Sequence, residues 1–262
     1  MNFRHIRTAG VLRTAAVAAT AAVLAGGATA LAAQPATPSA GPTGQPPNVT
    51  LVEQQVEAYY GGTVDASGHH HASADSAWGR QVAAAIAGGR RYLDQRLRQH
   101  PHNPAIVLDV DDTSEVTYGW EVDSQFAYNA ASNEQAIDAD AFPAIQPTLE
   151  LAQWAAAHGV TVFFVTGRPE HQRAATLTDL VTDDHYPQPA ALFLKAEAGT
   201  PPPAYLSCGT TCTTDQYKSQ TRAHLQAEGY DIVLNVGDQD SDLSLGHEDH
   251  AVKLPNPMYF LP

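Results

Sequence analysis

The chain has 262 residues, of which 44% are hydrophobic and 16% charged, with 14 Lys and Arg against 28 Asp and Glu and a net charge of −14. That apolar fraction is enough for a full core and argues against wholesale disorder. The acidity opposes binding to nucleic-acid polymers or anionic membranes. Two cysteines are too few for a disulfide-dense scaffold.

Arg4, Arg7 and Arg13 open the chain, a small-residue apolar stretch follows from Thr14 to about Gly27, and Ala28-Thr29-Ala30-Leu31-Ala32-Ala33 offers several A-x-A cleavage sites. This layout predicts a secretory signal peptide over residues 1–33, cleaved near 30–33, and an extracellular mature protein. The apolar run is short and Ala-rich for a membrane span, so no membrane attachment is expected after cleavage. The leader has no Arg-Arg pair, which favours the general secretory route. Its removal takes away three Arg and no acid, moving the net charge from −14 to −17. Residues 34–48 hold Pro35, Pro38, Pro42, Pro46 and Pro47 among Gly, Ser, Thr and Gln, the composition of a flexible tether. Residues 49–262 are then expected to form the folded domain.

In chain order, residues 49–60 read as a helix and 61–73 as a loop. Asp75 or Ser76 caps a second helix reaching about Gln99, with Gly88-Gly89 as its weak point. Five short apolar runs follow, at 105–108, 160–165, 190–194, 232–236 and 251–254. Runs of that kind suit strands buried on both faces. Helical patterns at 146–158, 170–181 and 215–228 separate most of them, which predicts an α/β fold with a doubly wound parallel sheet. The segment 114–143, rich in aromatic and acidic residues, breaks the alternation. It reads as a cap-type insert over the sheet's carboxyl edge.

In such a sheet, ligands bind beyond the carboxyl ends of the strands. The residues there are Asp109-Val110-Asp111-Asp112-Thr113, Thr166-Gly167-Arg168 and Gly237-Asp238-Gln239-Asp240-Ser241-Asp242, with Lys218 near the start of the helix before the fourth run. Together they make sense as a phosphoryl-transfer site. Asp109 and Asp111, two apart on extended chain, can point the same way. One can attack phosphorus and the other can protonate the departing oxygen, then activate water. Asp109, Asp111, Asp238 and Asp242 would repel a phosphate dianion, so a hard divalent cation is needed, and Mg²⁺ fits. Lys218 supplies further positive charge. The Thr166 hydroxyl and Gly167 amide can bind phosphoryl oxygens.

The wording of these segments resembles a known family. V-L-D-V-D-D-T and V-F-F-V-T-G-R resemble motifs one and two of the haloacid dehalogenase (HAD) superfamily. Y-K-S-x-x-R at 217–222 and G-D-Q-x-S-D-L at 237–243 resemble motifs three and four. D-D-T and T-G-R-P are similar to the secreted acid phosphatases of subfamily IIIB, which include class B acid phosphatases and plant vegetative storage proteins. The resemblance implies Asp109 as nucleophile and Asp111 as general acid/base, with the Asp111 backbone carbonyl on the metal. It further implies Asp238 as a metal contact, Asp242 supporting the metal or its waters, and Thr166 and Lys218 holding the phosphoryl group. The implied activity is hydrolysis of small phosphate monoesters. A non-catalytic storage or binding protein on the same scaffold and a phosphotransferase are the other readings, and the intact Asp109 disfavours the first.

Other residues have plainer expected roles. Asp112 points away from Asp109 on alternation and is read as a cap, Thr113 as a brace for the loop, and Arg168 as structural. Trp120 and Glu121 are read as packing ahead of substrate contact. His69-His70-His71 reads as a solvated loop, and Asp183-Asp184-His185 as a helix-to-strand connection. His247, Glu248, Asp249 and His250 read as a turn. Cys208 and Cys212 are expected to form a disulfide, because the leader directs the chain to an oxidising compartment. Oligomeric state carries no signature in the sequence.

Overall fold

The computed structural model of the protein describes residues 44–261. The expected signal peptide and residues 34–43 of the expected tether lie outside them. Helix α1 (Val49–Tyr60) starts where the Asn48 side chain accepts from the Leu51 amide and stops at Gly61, whose φ of 59° ends the helix in the left-handed region. Its last residue, Tyr60, is fully buried and stacks on Trp78 and Tyr118, with ring centroids 4.9 and 4.7 Å apart.

The segment expected to be a loop contains a small antiparallel ladder, β1 (Thr63–Val64) with β2 (His70–His71). Strands of two residues leave no alternation to read. Helix α2 (Ala77–Leu97) begins at Ser76, whose hydroxyl accepts from the Gly79 amide at 3.0 Å. It runs unbroken through Gly88-Gly89. Gly89 is needed for spacing, since a Cβ there would stand 2.9 Å from Val252 Cγ2.

The sheet comprises β3 (Pro104–Leu108), β4 (Thr161–Pro169), β5 (Ala191–Lys195), β6 (Asp231–Gly237) and β7 (Ala251–Lys253). All pairings are parallel, in the order β5-β4-β3-β6-β7. Successive side chains alternate between its faces. Ile106, Leu108, Val162, Phe164, Leu234 and Val236 join one core with α2 and α5 (Gln146–Ala157). Ala105, Val107, Phe163, Val165 and Ile232 join the other with α7 (Thr214–Ala227). Burial on both faces explains the uninterrupted apolar runs. Each fully buried Val, Leu, Ile or Phe contributes about 1.5–3 kcal/mol to folding.

The segment after β4, expected to be one helix over 170–181, is divided into a 3₁₀ turn (Glu170–Gln172), α6 (Arg173–Thr178) and a π turn (Asp179–Asp183). The wide last turn is closed by the Asp184 amide on the Asp179 carbonyl at 2.8 Å, and Leu180 within it is fully buried. Between β3 and α5 lie α3 (Tyr118–Asp123) and α4 (Ala130–Asp138). The two ends of this excursion are paired: Val116 N–H donates to Pro143 O at 2.9 Å and Ile145 N–H to Ser114 O at 2.8 Å. Cys208 and Cys212 are disulfide-bonded, with Cα atoms 5.0 Å apart, directly ahead of α7. A short helix, α8 (Asp240–Leu243), follows β6. Among the described residues no helix is long and apolar enough to cross a membrane.

Candidate active site

Strand register levels the key positions. Leu108 stands between Phe164 on β4 and Val236 on β6, so Asp109 emerges beside Val165 and Gly237. The connections from β3 run outward to β4, and those from β6 to β7 on the other side. The crevice between β3 and β6 is therefore the topological switch point.

Asp109 donates its amide to Val236 O at 3.0 Å. The loop then turns tightly, with the Ser114 and Glu115 amides on Val110 O and the Ser114 hydroxyl on Asp109 O at 2.6 Å. Lys218, projecting from α7, places Nζ 2.5 Å from both Asp109 Oδ1 and Asp242 Oδ1. All three are nearly inaccessible to solvent. Asp242 comes so close because residue 237 is glycine: a Cβ there would lie 2.3 Å from Asp242 Cβ. The Asp242 carbonyl is fixed by Arg222 Nη1 at 2.6 Å and Asn235 Nδ2 at 2.9 Å. Asp238 accepts from the Thr113 hydroxyl at 3.2 Å, Gln239 Nε2 at 2.7 Å and Asn256 Nδ2 at 2.8 Å. Thr113 thus braces the loop, as expected, by reaching across to Asp238.

Burial sets the electrostatics. It pushes the Asp109 carboxyl well up, and the neighbouring Asp242 charge adds to the effect. Asp238 is raised to about 7, by burial first and then by Asp242. Burial alone would lower Lys218, yet Asp109 and Asp242 outweigh it and hold the ammonium above its usual range. Oxygens of Asp109, Asp238 and Asp242 lie within 4.8 Å of one another, and Lys218 pairs with two of the three carboxylates. A hard, all-oxygen donor set with excess negative charge suits a divalent cation such as Mg²⁺.

Asp111 lines the same cavity, but its carboxylate is turned toward Arg168, with Nη2 at 2.7 Å and Nε at 3.2 Å. It is not one of the three clustered carboxylates. Arg168 is itself buried and also binds Glu115 Oε2 at 2.6 Å and Thr176 Oγ1 at 3.1 Å. Gly167 lines the cavity with open space where a side chain would be. Thr166 is fully buried beside it, its hydroxyl accepting from the Arg168 amide at 3.1 Å, and is not a lining residue. Asp112 is not a helix cap. It is buried and accepts from the Thr117 amide and hydroxyl and from the Tyr259 hydroxyl, tying the loop to the segment after β7.

The cavity has a volume of about 460 Å³. Trp120, Glu121, Phe126 and Tyr128 from the excursion after β3 form one wall, so Trp120 and Glu121 do more than pack. Tyr259, Phe260 and Leu261 form another. Sequence reasoning missed this last wall. Its one signal was an aromatic pair, Tyr259-Phe260, after the last strand-like run. Four of the histidines singled out in the sequence have partners away from the cavity. His70 pairs with Asp123 at 2.6 Å, His71 with Asp65 at 3.1 Å, and His247 with Gln226 at 2.9 Å, while His250 stacks on Tyr92. Glu248 and Asp249 pair with Arg222 and Arg96.

The family described as HAD superfamily, subfamily IIIB (acid phosphatase) matches residues 47–262. Among curated proteins, the chain is 31% identical over 166 residues to "Acid phosphatase 1" of Solanum lycopersicum, covering 59% of this chain and 58% of that protein. It is 29% identical over 173 residues to "Stem 28 kDa glycoprotein" of Glycine max, covering 63% of each. The matched regions thus span about three-fifths of these relatives. Among solved structures, the class C acid phosphatase from Bacillus anthracis shares the fold, with a TM-score of 0.59, 19% identity, and coverage of 80% of this chain and 86% of that one. With its sheet, its strand-end motifs and a match over nearly all of the described residues, the chain belongs to subfamily IIIB of the HAD superfamily, the acid phosphatase subfamily.

Proposed function

We propose that the protein is a secreted, Mg²⁺-dependent acid phosphatase that hydrolyses small phosphate monoesters through an aspartyl-phosphate intermediate. The observation that carries this reading is the convergence at Lys218 Nζ, 2.5 Å from carboxylates of two separate strand-end motifs, with Asp238 in the same cluster. The family match and the tomato acid phosphatase support it. The disulfide and the glycoprotein and storage-protein relatives support secretion.

Asp109 attacks phosphorus, forming a carboxylate oxygen–phosphorus bond while the ester oxygen departs. Asp111 gives that oxygen a proton, then takes one from water as the water attacks the aspartyl-phosphate and frees Asp109. Arg168 grips Asp111 through two nitrogens and fixes its orientation. Lys218 and the Gly167 amide hold phosphoryl oxygens. Asp109, Asp238, Asp242 and the Asp111 carbonyl would hold Mg²⁺, which supplies charge neutralisation for the phosphoryl group. The aromatic wall from Trp120 to Tyr128 receives the leaving group.

Asp109→Asn removes the nucleophile while keeping its shape. The variant is expected to fold and to lose essentially all turnover of an aryl phosphate. Chelation is expected to abolish wild-type turnover and added Mg²⁺ to restore it. Wild-type rates in the Asn variant would overturn the mechanism. Absence of wild-type turnover with Mg²⁺ would favour a binding or storage role.

A further inference from the structure

We propose that the protein carries a second divalent-cation site, of calcium type, where Asp140 meets Asp179 and Asp183. Asp140 lies just beyond α4 in the excursion after β3, whereas Asp179 and Asp183 bound the π turn that follows α6. One oxygen from each lies within 4.8 Å of the others. None of the three lines the catalytic cavity.

A second feature points to a ligand. Asp179 is only 6% exposed, yet its carboxylate has no hydrogen-bond or ion-pair partner among the described residues and is directed into this cluster. A buried carboxylate is ordinarily paired or bound to a metal. Next to it, Asp184 accepts from the Ala144 amide through Oδ1 at 2.9 Å, while its Oδ2 is buried without a partner. Asp138 adds a further negative charge within range of Asp179. Arg168 acts on Asp179 as a cation, but its guanidinium is already committed to Asp111, Glu115 and Thr176. Burial, followed by repulsion from Asp140, raises Asp179 to about 7, as expected of an acid lacking its counter-charge.

Calcium matches this set better than magnesium. It accepts six to eight oxygens in flexible geometry, whereas Mg²⁺ demands a near-ideal octahedron and retains its waters. Asp140 and Asp183 are exposed, so an ion and its waters can enter from solvent. A bound ion would clamp the excursion carrying the aromatic wall onto the core.

The test uses the intact mature chain with Mg²⁺ held at saturating concentration, so that the catalytic cluster is filled throughout. Thermal unfolding and calorimetric titration are followed as CaCl₂ is added to about 10 mM. For the roughly 0.1–1 mM affinity common in extracellular calcium modules, the melting temperature should rise by about 3–10 °C. Asp140→Asn with Asp183→Asn, both surface changes, should remove the shift and the binding heat. Turnover in Mg²⁺ alone should be unaffected. No calcium-dependent shift in the wild type would overturn the proposal, as would a full shift in the double variant.

Discussion

Lys218 bridges two buried carboxylates that would otherwise repel, so its replacement by methionine tests the electrostatic reading of the site. Methionine keeps most of the length and apolar stem but takes away the ammonium that bridges Asp109 and Asp242. Removing one partner of a buried pair costs about 3–5 kcal/mol. For a domain of this size, about 2–4 °C is lost per kcal/mol, so the melting temperature should fall by roughly 6–20 °C at pH 7.5 in chelator. The sign of the pH dependence follows from the raised acids. Asp109 is lifted above its ordinary value, and Asp238 reaches about 7. The folded state therefore binds protons more tightly than the unfolded chain does. The associated stability is present below the ordinary carboxylate range and is lost as pH climbs through about 7. In the variant, protons can stand in for the missing ammonium, so its deficit should shrink at pH 5 and widen toward pH 8. Mg²⁺ should narrow it at either pH. Differential scanning calorimetry at both pH values, with and without chelator, gives the four numbers required. A variant melting within about 2 °C of the wild type at pH 7.5 in chelator would refute the argument.

Arg168→Lys keeps the charge but loses the two-nitrogen grip on Asp111. Turnover should fall about 10²-fold or more, the usual weight of a well-placed acid/base, while KM for an aryl phosphate stays within a few-fold in steady-state kinetics. Gly237→Ala forces a methyl group to within 2.3 Å of Asp242 Cβ. It should cost about 1–3 kcal/mol by overpacking, visible in urea unfolding, and should depress turnover by displacing Asp242. Cys208→Ser with Cys212→Ser opens a very short loop and should cost about 2 kcal/mol on chain-entropy grounds. Thiol reductant should destabilise the wild type to the same extent and leave the double variant unchanged.

The sheet was legible because each central strand is buried on both faces and so reads as an unbroken apolar run; the observed bounds differ from those of the runs by at most four residues. Helix α1 was legible from the helical spacing of Leu51, Val52, Val56 and Tyr59, and the structure adds the Asn48 and Gly61 caps that fix its two ends. Misreadings arose where structure depends on partners distant in sequence. Gly88-Gly89 reads as a weak point because helix propensity is local, yet α2 runs through it and Gly89 is there to let the helix pack closely on Val252. The π turn at Asp179–Asp183 spoils a pattern that is helical in sequence. At the site, the strand-end motifs pointed to Asp109 and Asp238 and a helix motif to Lys218, and the fold brings the three together. Nothing in the local pattern announced that Arg168 would take hold of Asp111 or that Tyr259 would tie to Asp112. Those pairings span 57 and 147 residues, and only the folded backbone brings them together.

The paired ends of the excursion between β3 and α5 have a further consequence. Val116 with Pro143 and Ile145 with Ser114 form a closed neck that returns the chain to the place it left, so the excursion adds no strand to the sheet. Thr117 and Tyr118 remain tied to Asp112 and Tyr60, so the room for variation lies in the connection between α3 and α4, residues 124–129, where length or sequence can change without shifting the floor that carries the acids. Selection for new leaving groups can then proceed on one side of that neck while the bond-breaking chemistry is preserved on the other.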